Sequence, residues 1–195
     1  MTDWVKVYSD GVDAVADVVT GLTPAQLTTV VPATPEWTVE QLLAHLAGTA
    51  ADVTTGQVDG APGDAWTARQ VNERRDAETS ELLAELRGTR PAMTEIIQAN
   101  DRPAVVWNLV VHLADLTEAL QRPSPPEQLW LPIVEALRPR VPESLAGADD
   151  YELFRALFSR RSRDQLAVMA GGSDPALDDV GLFGPRMDAQ PIPAR

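Results

Sequence analysis

No cysteine occurs anywhere in the 195 residues. Disulfides, thiolate metal sites and a cysteine nucleophile are therefore excluded, and any metal has to be held by histidine, carboxylate or amide oxygen. Histidine is scarce too: His45 and His112 are the only two. No cationic excess is present either, the net charge being −13 with a pI near 4.4. That argues against nucleic acid and anionic membrane as partners, since both need clustered cations to displace counterions. Met1-Thr-Asp-Trp does not read as a signal peptide and no apolar run approaches membrane-spanning length, so a cytoplasmic protein is expected. Phosphate loops, a Gly-x-Ser-x-Gly elbow and paired-cysteine motifs are all missing. Strand signals are nearly absent.

What is present is helical periodicity. A hydrophobic fraction of 44% supplies ample core for one domain with a modest appendage. Trp4, Tyr8, Val12, Val15, Val19 and Leu22 form one amphipathic stripe, ended by Gly21 and Pro24. Residues 24–29 suit a short helical turn, and Val31-Pro-Ala-Thr-Pro35 an extended connector, because residues before proline avoid helical dihedrals. A second helix runs from Thr38 to near Gly56, and Gly60-Ala-Pro-Gly63 is a loop. A third segment spans Asp64 to about Asn100, with a bend or break expected at Gly88 and Pro91; its charged middle, Asn72 to Ser80, reads as a solvated helix face. The fourth helix starts at Pro103 and ends before Pro123. The pattern predicts an all-α antiparallel four-helix bundle over residues 1–122. Residues 123–195 read as a proline-rich helical and loop extension packed on it. There, Leu129 to Leu137 is partly helical with Pro132 limiting its start, Asp149-Asp150 caps a short helix to Phe158, and Ser162 with Gln165 forms a capping box.

Two of these helices carry the candidate chemistry. Thr38 and Gln41 make a capping box, and Val39, Leu42, Leu43, Leu46, Ala50 and Val53 define a stripe with His45 at its border. On the fourth helix Val105, Leu109, Leu113, Leu116 and Leu120 face the core. His112 lies at that edge, with Asn108 four residues before and Asp115 three after on the same side. If His45 faces the same point, two imidazoles and one or two oxygens converge, a set suited to zinc or another divalent transition metal. The plainer alternative is a pair of core-border histidines, each satisfied by a hydrogen bond. Elsewhere, Arg160, Arg161 and Arg163 read as an exposed basic cluster linking helices rather than a carboxylate or phosphate site. Trp66, Trp107 and Trp130 line a cleft or pack in the core.

Trp37-Thr-Val-Glu-Gln-Leu-Leu-Ala-His45-Leu-Ala-Gly48 resembles the first metal motif of the mycothiol-dependent maleylpyruvate isomerase family, within the DinB-like four-helix metalloproteins. Leu109-Val-Val-His112-Leu-Ala-Asp115-Leu resembles its second motif. Phe154 to Leu166 and Leu182-Phe-Gly-Pro-Arg186 are similar to the tails of single-bundle members. The resemblance implies a divalent metal, often zinc, held by His45, His112 and an acidic residue four before His112. That position here is Asn108. A neutral amide is a poorer ligand than a carboxylate, so three outcomes are open: a site completed by Asn108, one rescued by Asp115, or no metal. The resemblance also implies activation of mycothiol or a similar small thiol as its thiolate. The expected activity is transferase or isomerase chemistry on a small organic molecule, by a monomer or homodimer. Two other classes compete with it: a metal-free bundle that binds a small molecule or protein, and a metal-free enzyme with His112 as general base oriented by Asp115.

Overall fold

The stripe that begins at Trp4 becomes α1 (Trp4–Val19), with Asp3 accepting the Lys6 backbone N–H at 3.0 Å and Tyr8, Val12, Val15 and Val19 buried. It opens a computed structural model that describes residues 2–100 and 104–191. The expected short turn follows as α2 (Pro24–Leu27). Then β1 (Val30–Val31) and β2 (Thr34–Thr38) pair antiparallel, Val30 opposite Thr38 and Val31 opposite Thr34. The connector is extended as its prolines require, but it folds back into a hairpin. Each strand of such a ribbon keeps an unpaired edge, where proline is tolerated.

Thr38 ends β2 and caps α3 (Val39–Thr55). Its N–H donates to Gln41 Oε1 at 2.9 Å, and the Gln41 N–H returns to Thr38 Oγ1 at 3.4 Å. Gly56 closes the helix at φ +76, and a Cβ there would meet nothing within 4 Å. Gly56→Ala therefore incurs only the left-handed backbone penalty, about 1 kcal/mol. The expected result is a thermal midpoint lower by about 2–4 °C; calorimetry showing no loss would rule out that reading of the cap.

The third segment departs from expectation. It is three helices, α4 (Asp64–Glu73), α5 (Thr79–Gly88) and α6 (Arg90–Gln98). The break at Gly88 was expected; the one across 74–78 was not. Local capping explains it, because Glu81 Oε2 accepts the Glu78 N–H at 2.8 Å and offers the backbone an alternative to continuing α4. Arg74 then grips Glu85 with two N–H groups at 2.8 and 2.6 Å, so the chain turns back at that point. The charged stretch is solvated as expected, with none of its residues buried, but it is a helix end, a turn and a cap rather than one helix face.

Next comes α7 (Ala104–Ala119); the expected start at Pro103 lies outside the described residues. Helix α1 packs on α7, α3 packs on α4, α5 and α7, and α6 meets both α1 and α3. The all-α bundle is thus built from α1, α3, the α5–α6 tandem and α7, with α4 laid along α3. No helix among the described residues is long and apolar enough to cross a membrane.

The chain divides into two compact units, Met1–Pro125 and Pro126–Arg195. The second holds α8 (Glu127–Leu137), α9 (Asp150–Leu157) and α10 (Arg163–Met169), with two short 3₁₀ turns between α8 and α9. Pro132 lies inside α8 rather than at its start. An interior proline costs about 3 kcal/mol. Leu129, Trp130, Ile133 and Val134 are all buried along the helix, each contributing about 1.5–3 kcal/mol, and together they outweigh it. Asp149 accepts from the Tyr151 and Glu152 N–H groups, and Ser162 with Gln165 forms the expected capping box. The tail then runs beside the end of α9: Leu182 N–H donates to the Leu157 carbonyl at 3.2 Å and Arg186 N–H to the Arg161 carbonyl at 3.0 Å. The two tail motifs singled out in the sequence are therefore neighbours in space.

Candidate functional site

The two histidines meet. His45 on α3 and His112 on α7 are 2% and 7% exposed, and their rings stand 5.1 Å apart at 86°. His45 is deeper than a stripe border implies, because α3 is buried on every side from Leu42 to Ala50 by the helices around it. Trp37, at the step from β2 into α3, lies over the pair, 4.8 Å from the His45 ring and 6.3 Å from that of His112. Trp66 on α4 meets His45 edge-on at 6.3 Å, and its indole N–H donates to the Gln57 carbonyl at 3.1 Å.

Both imidazoles have a side-chain oxygen at the same nitrogen. His45 Nδ1 is 2.8 Å from Gln70 Oε1, and His112 Nδ1 is 2.9 Å from Asp115 Oδ2. When Nδ1–H donates to such an oxygen, the lone pair of a neutral imidazole is on Nε2. Asp115 is fully buried and stands at His112 Nδ1, leaving Nε2 as the ring nitrogen on the other side. A carboxylate at that position fixes the orientation of the ring. Gln70 in turn donates from Nε2 to Asp52 Oδ2 at 2.6 Å, and Arg69 Nη2 reaches the same oxygen at 2.7 Å.

Asn108 is half-buried one turn before His112 on α7. Among the described residues, no group of three or more histidine, aspartate, glutamate or cysteine side chains could hold a metal. The family model of the mycothiol maleylpyruvate isomerase N-terminal domain matches residues 8–123. The chain belongs to that family. Its match lies within the first compact unit and takes in His45, Asn108, His112 and Asp115. No curated protein and no solved structure matches the chain.

In this mycothiol maleylpyruvate isomerase N-terminal domain, DinB-like in fold, the residues present fit a metal in one respect and depart in another. The fit is the oxygen partner on each Nδ1, the outer shell that ligating histidines ordinarily have. The departure is Asn108, a neutral amide at the position where the resemblance implies an acidic ligand. Of the three tryptophans read as lining a cleft or packing in the core, Trp66 adjoins His45, Trp107 packs on Trp4 with ring centroids 6.4 Å apart, and Trp130 joins Tyr151 and Phe154 in the second unit. The basic cluster is also corrected: Arg161 is 0% exposed, its Nε and Nη2 donating to Glu152 at 2.6 and 3.1 Å. Arg163 instead reaches Asp178 at 2.5 Å and the Asp174 carbonyl at 2.8 Å.

Sequence reasoning missed Gln70, Asp52 and the placement of Trp37. Gln70 lies 25 residues from His45 in a polar helix, and no periodicity marks it. Trp37 had a signal, its place one residue before a capping threonine.

Proposed function

We propose that the first unit is a divalent-metal site of a cytoplasmic, small-thiol-dependent transferase or isomerase acting on a small organic molecule. His45 and His112 hold the metal, zinc, through Nε2, and the amide oxygen of Asn108 is a weaker third donor. The observation that supports this most is the oxygen partner on each Nδ1, since a neutral ring that donates from Nδ1 keeps its lone pair on Nε2. The bound metal would supply charge that favours the thiolate of mycothiol or a similar thiol, the nucleophilic form.

The chain's own residues do the rest. Asp115 and Gln70 keep the rings in one orientation, and Asp115 offsets cationic charge at His112. Trp37 and Trp66 wall the pair with aromatic surface, which excludes water and strengthens every electrostatic interaction inside. A second reading has its own observation, the buried His112–Asp115 pair at 2.9 Å. In that reading His112 is a general base and no metal is needed.

Elemental analysis of untagged protein, purified without chelator, tests the choice beside an Asn108→Asp variant. The expected result is near one zinc per chain in the parent and an affinity at least about tenfold higher in the variant, about 1.4 kcal/mol, because the added carboxylate brings charge to the cation. Metal in the variant alone shows that the parent site has been dismantled. Metal in neither overturns the proposal, and a chelator-resistant activity rising through the imidazole titration range then favours the general-base reading.

A further inference from the structure

The side-chain chain behind His45 contains a direction. Asp52 is 4% exposed, and one of its oxygens takes both the Arg69 guanidinium and the Gln70 amide, at 2.7 and 2.6 Å. A carboxylate oxygen engaged with a guanidinium accepts and does not donate. The Gln70 group facing it must therefore be the NH2, which turns Oε1 toward α3. There Oε1 receives Thr49 Oγ1–H at 3.4 Å and stands 2.8 Å from His45 Nδ1. An amide oxygen cannot donate, so Nδ1 carries the proton. Each step follows from the one before, and the whole sequence starts at Asp52.

Access is the second condition. Gln70 is 0% exposed, and it reaches His45 only because α4 lies close against α3 at Gly48. A Cβ on residue 48 would stand 2.7 Å from Gln70 Cβ, 2.9 Å from its Cγ and 3.0 Å from Arg74 Nη1. The nearest of these is the stem of the glutamine itself, which cannot swing aside without moving its amide. A glycine within a helix costs about 1 kcal/mol relative to alanine, so its place here has to be offset, and the approach of Gln70 is what it permits.

We propose that Gln70, oriented by Asp52 and admitted by Gly48, is a positioning residue that holds His45 in the Nδ1–H tautomer, so that Nε2 is its lone-pair nitrogen. The role rests on the metal reading for its purpose, but the tautomer can be read with no metal present. With only two histidines, long-range proton–nitrogen correlation spectra of the full-length protein labelled at its imidazole nitrogens show each ring separately, and His112→Ala assigns them.

At a pH where both rings are neutral and without metal, the parent is expected to show His45 as Nδ1–H alone. Gln70→Met fills the same volume without the amide and should bring in the Nε2–H form. Gly48→Ala should do the same by displacing Gln70. Zinc titrated against a competing chelator should bind Gln70→Met about 10- to 100-fold more weakly than the parent. A parent in the Nε2–H form, or a folded Gln70→Met variant with the parent tautomer, overturns the proposal. Should Gln70→Met not fold, the parent spectrum and Gly48→Ala decide. A parent that takes up no zinc overturns the metal reading alone, because the tautomer result stands. Parent and variant binding zinc equally with one tautomer overturns the role of Gln70 and leaves the metal reading intact.

Discussion

His112→Ala is expected to lower zinc content to background while the helical bundle still forms. The magnitude follows from the donor count. Structural zinc sites with four strong donors are worth about 10–16 kcal/mol, so one imidazole carries roughly 3 kcal/mol, about two powers of ten in affinity. In the proposed site the third donor is a neutral amide, so little compensates for the lost imidazole. The same substitution costs stability in the metal-free protein. Asp115 is 0% exposed and loses the Nδ1–H that it accepts at 2.9 Å, a loss of about 1–3 kcal/mol. A folded variant with a lower unfolding midpoint and no zinc is thus the expected combination, read by elemental analysis and chemical denaturation of one sample. Normal zinc content in that variant would sink the assignment of His112. An unchanged midpoint would sink the role given to Asp115.

How much of this was legible in the residues depends on the range of the interaction. Local hydrogen bonds were legible: Thr38 with Gln41, Ser162 with Gln165 and the cap at Asp149 all occur where short-range spacing placed them. So were the long stripes of α1, α3 and α7, because burying one face of a helix imposes a period on its sequence. The 74–78 break is less legible on both counts: its local cap is Glu78 with Glu81, and glutamate is not among the usual capping residues, while Arg74 pairs with Glu85 eleven residues on, a contact that looks like any surface charge until the chain has turned. Pro132 is a case of the same kind, since its local penalty is outweighed by burial along the whole of α8.

The candidate site divides along the same line. His45 and His112 stood out because polar residues at the edge of an apolar stripe are unusual, and family motifs surround both. Asp115 was placed on the correct side of α7, but whether it stood beside His112 or behind it required the ring's orientation. Gln70 had no local mark at all. Its partner glycine did have one: Gly48 is a conformationally expensive residue within a strongly apolar helix, closing the motif that starts at Trp37. An unforced glycine inside a helix can thus point to a side chain arriving from elsewhere.

Arg161→Ala should strongly destabilise the second unit. Arg161 is wholly buried and binds Glu152 through two guanidinium N–H groups, while Nη1 donates to the Arg160 carbonyl at 2.7 Å. Truncation leaves the Glu152 carboxylate, 9% exposed, without that clamp, and breaking a buried pair from one side costs about 3–5 kcal/mol. A unit of this size has few kcal/mol to lose. The tail should loosen with it, because Arg186 N–H donates to the Arg161 carbonyl and Phe183 N–H to Ser159 Oγ on the same stretch. Urea denaturation of the full chain, with limited proteolysis between residues 171 and 191, reads both effects. Arg161→Lys keeps the charge but not the planar fork, and should recover only part of the loss. Glu152→Leu combined with Arg161→Met removes both charges at similar volume and should recover most of it, since apolar replacement of a buried pair is often neutral. A loss below about 1 kcal/mol in Arg161→Ala, or a double variant no better than the single one, would show that the pair contributes little beyond what an exposed ion pair does.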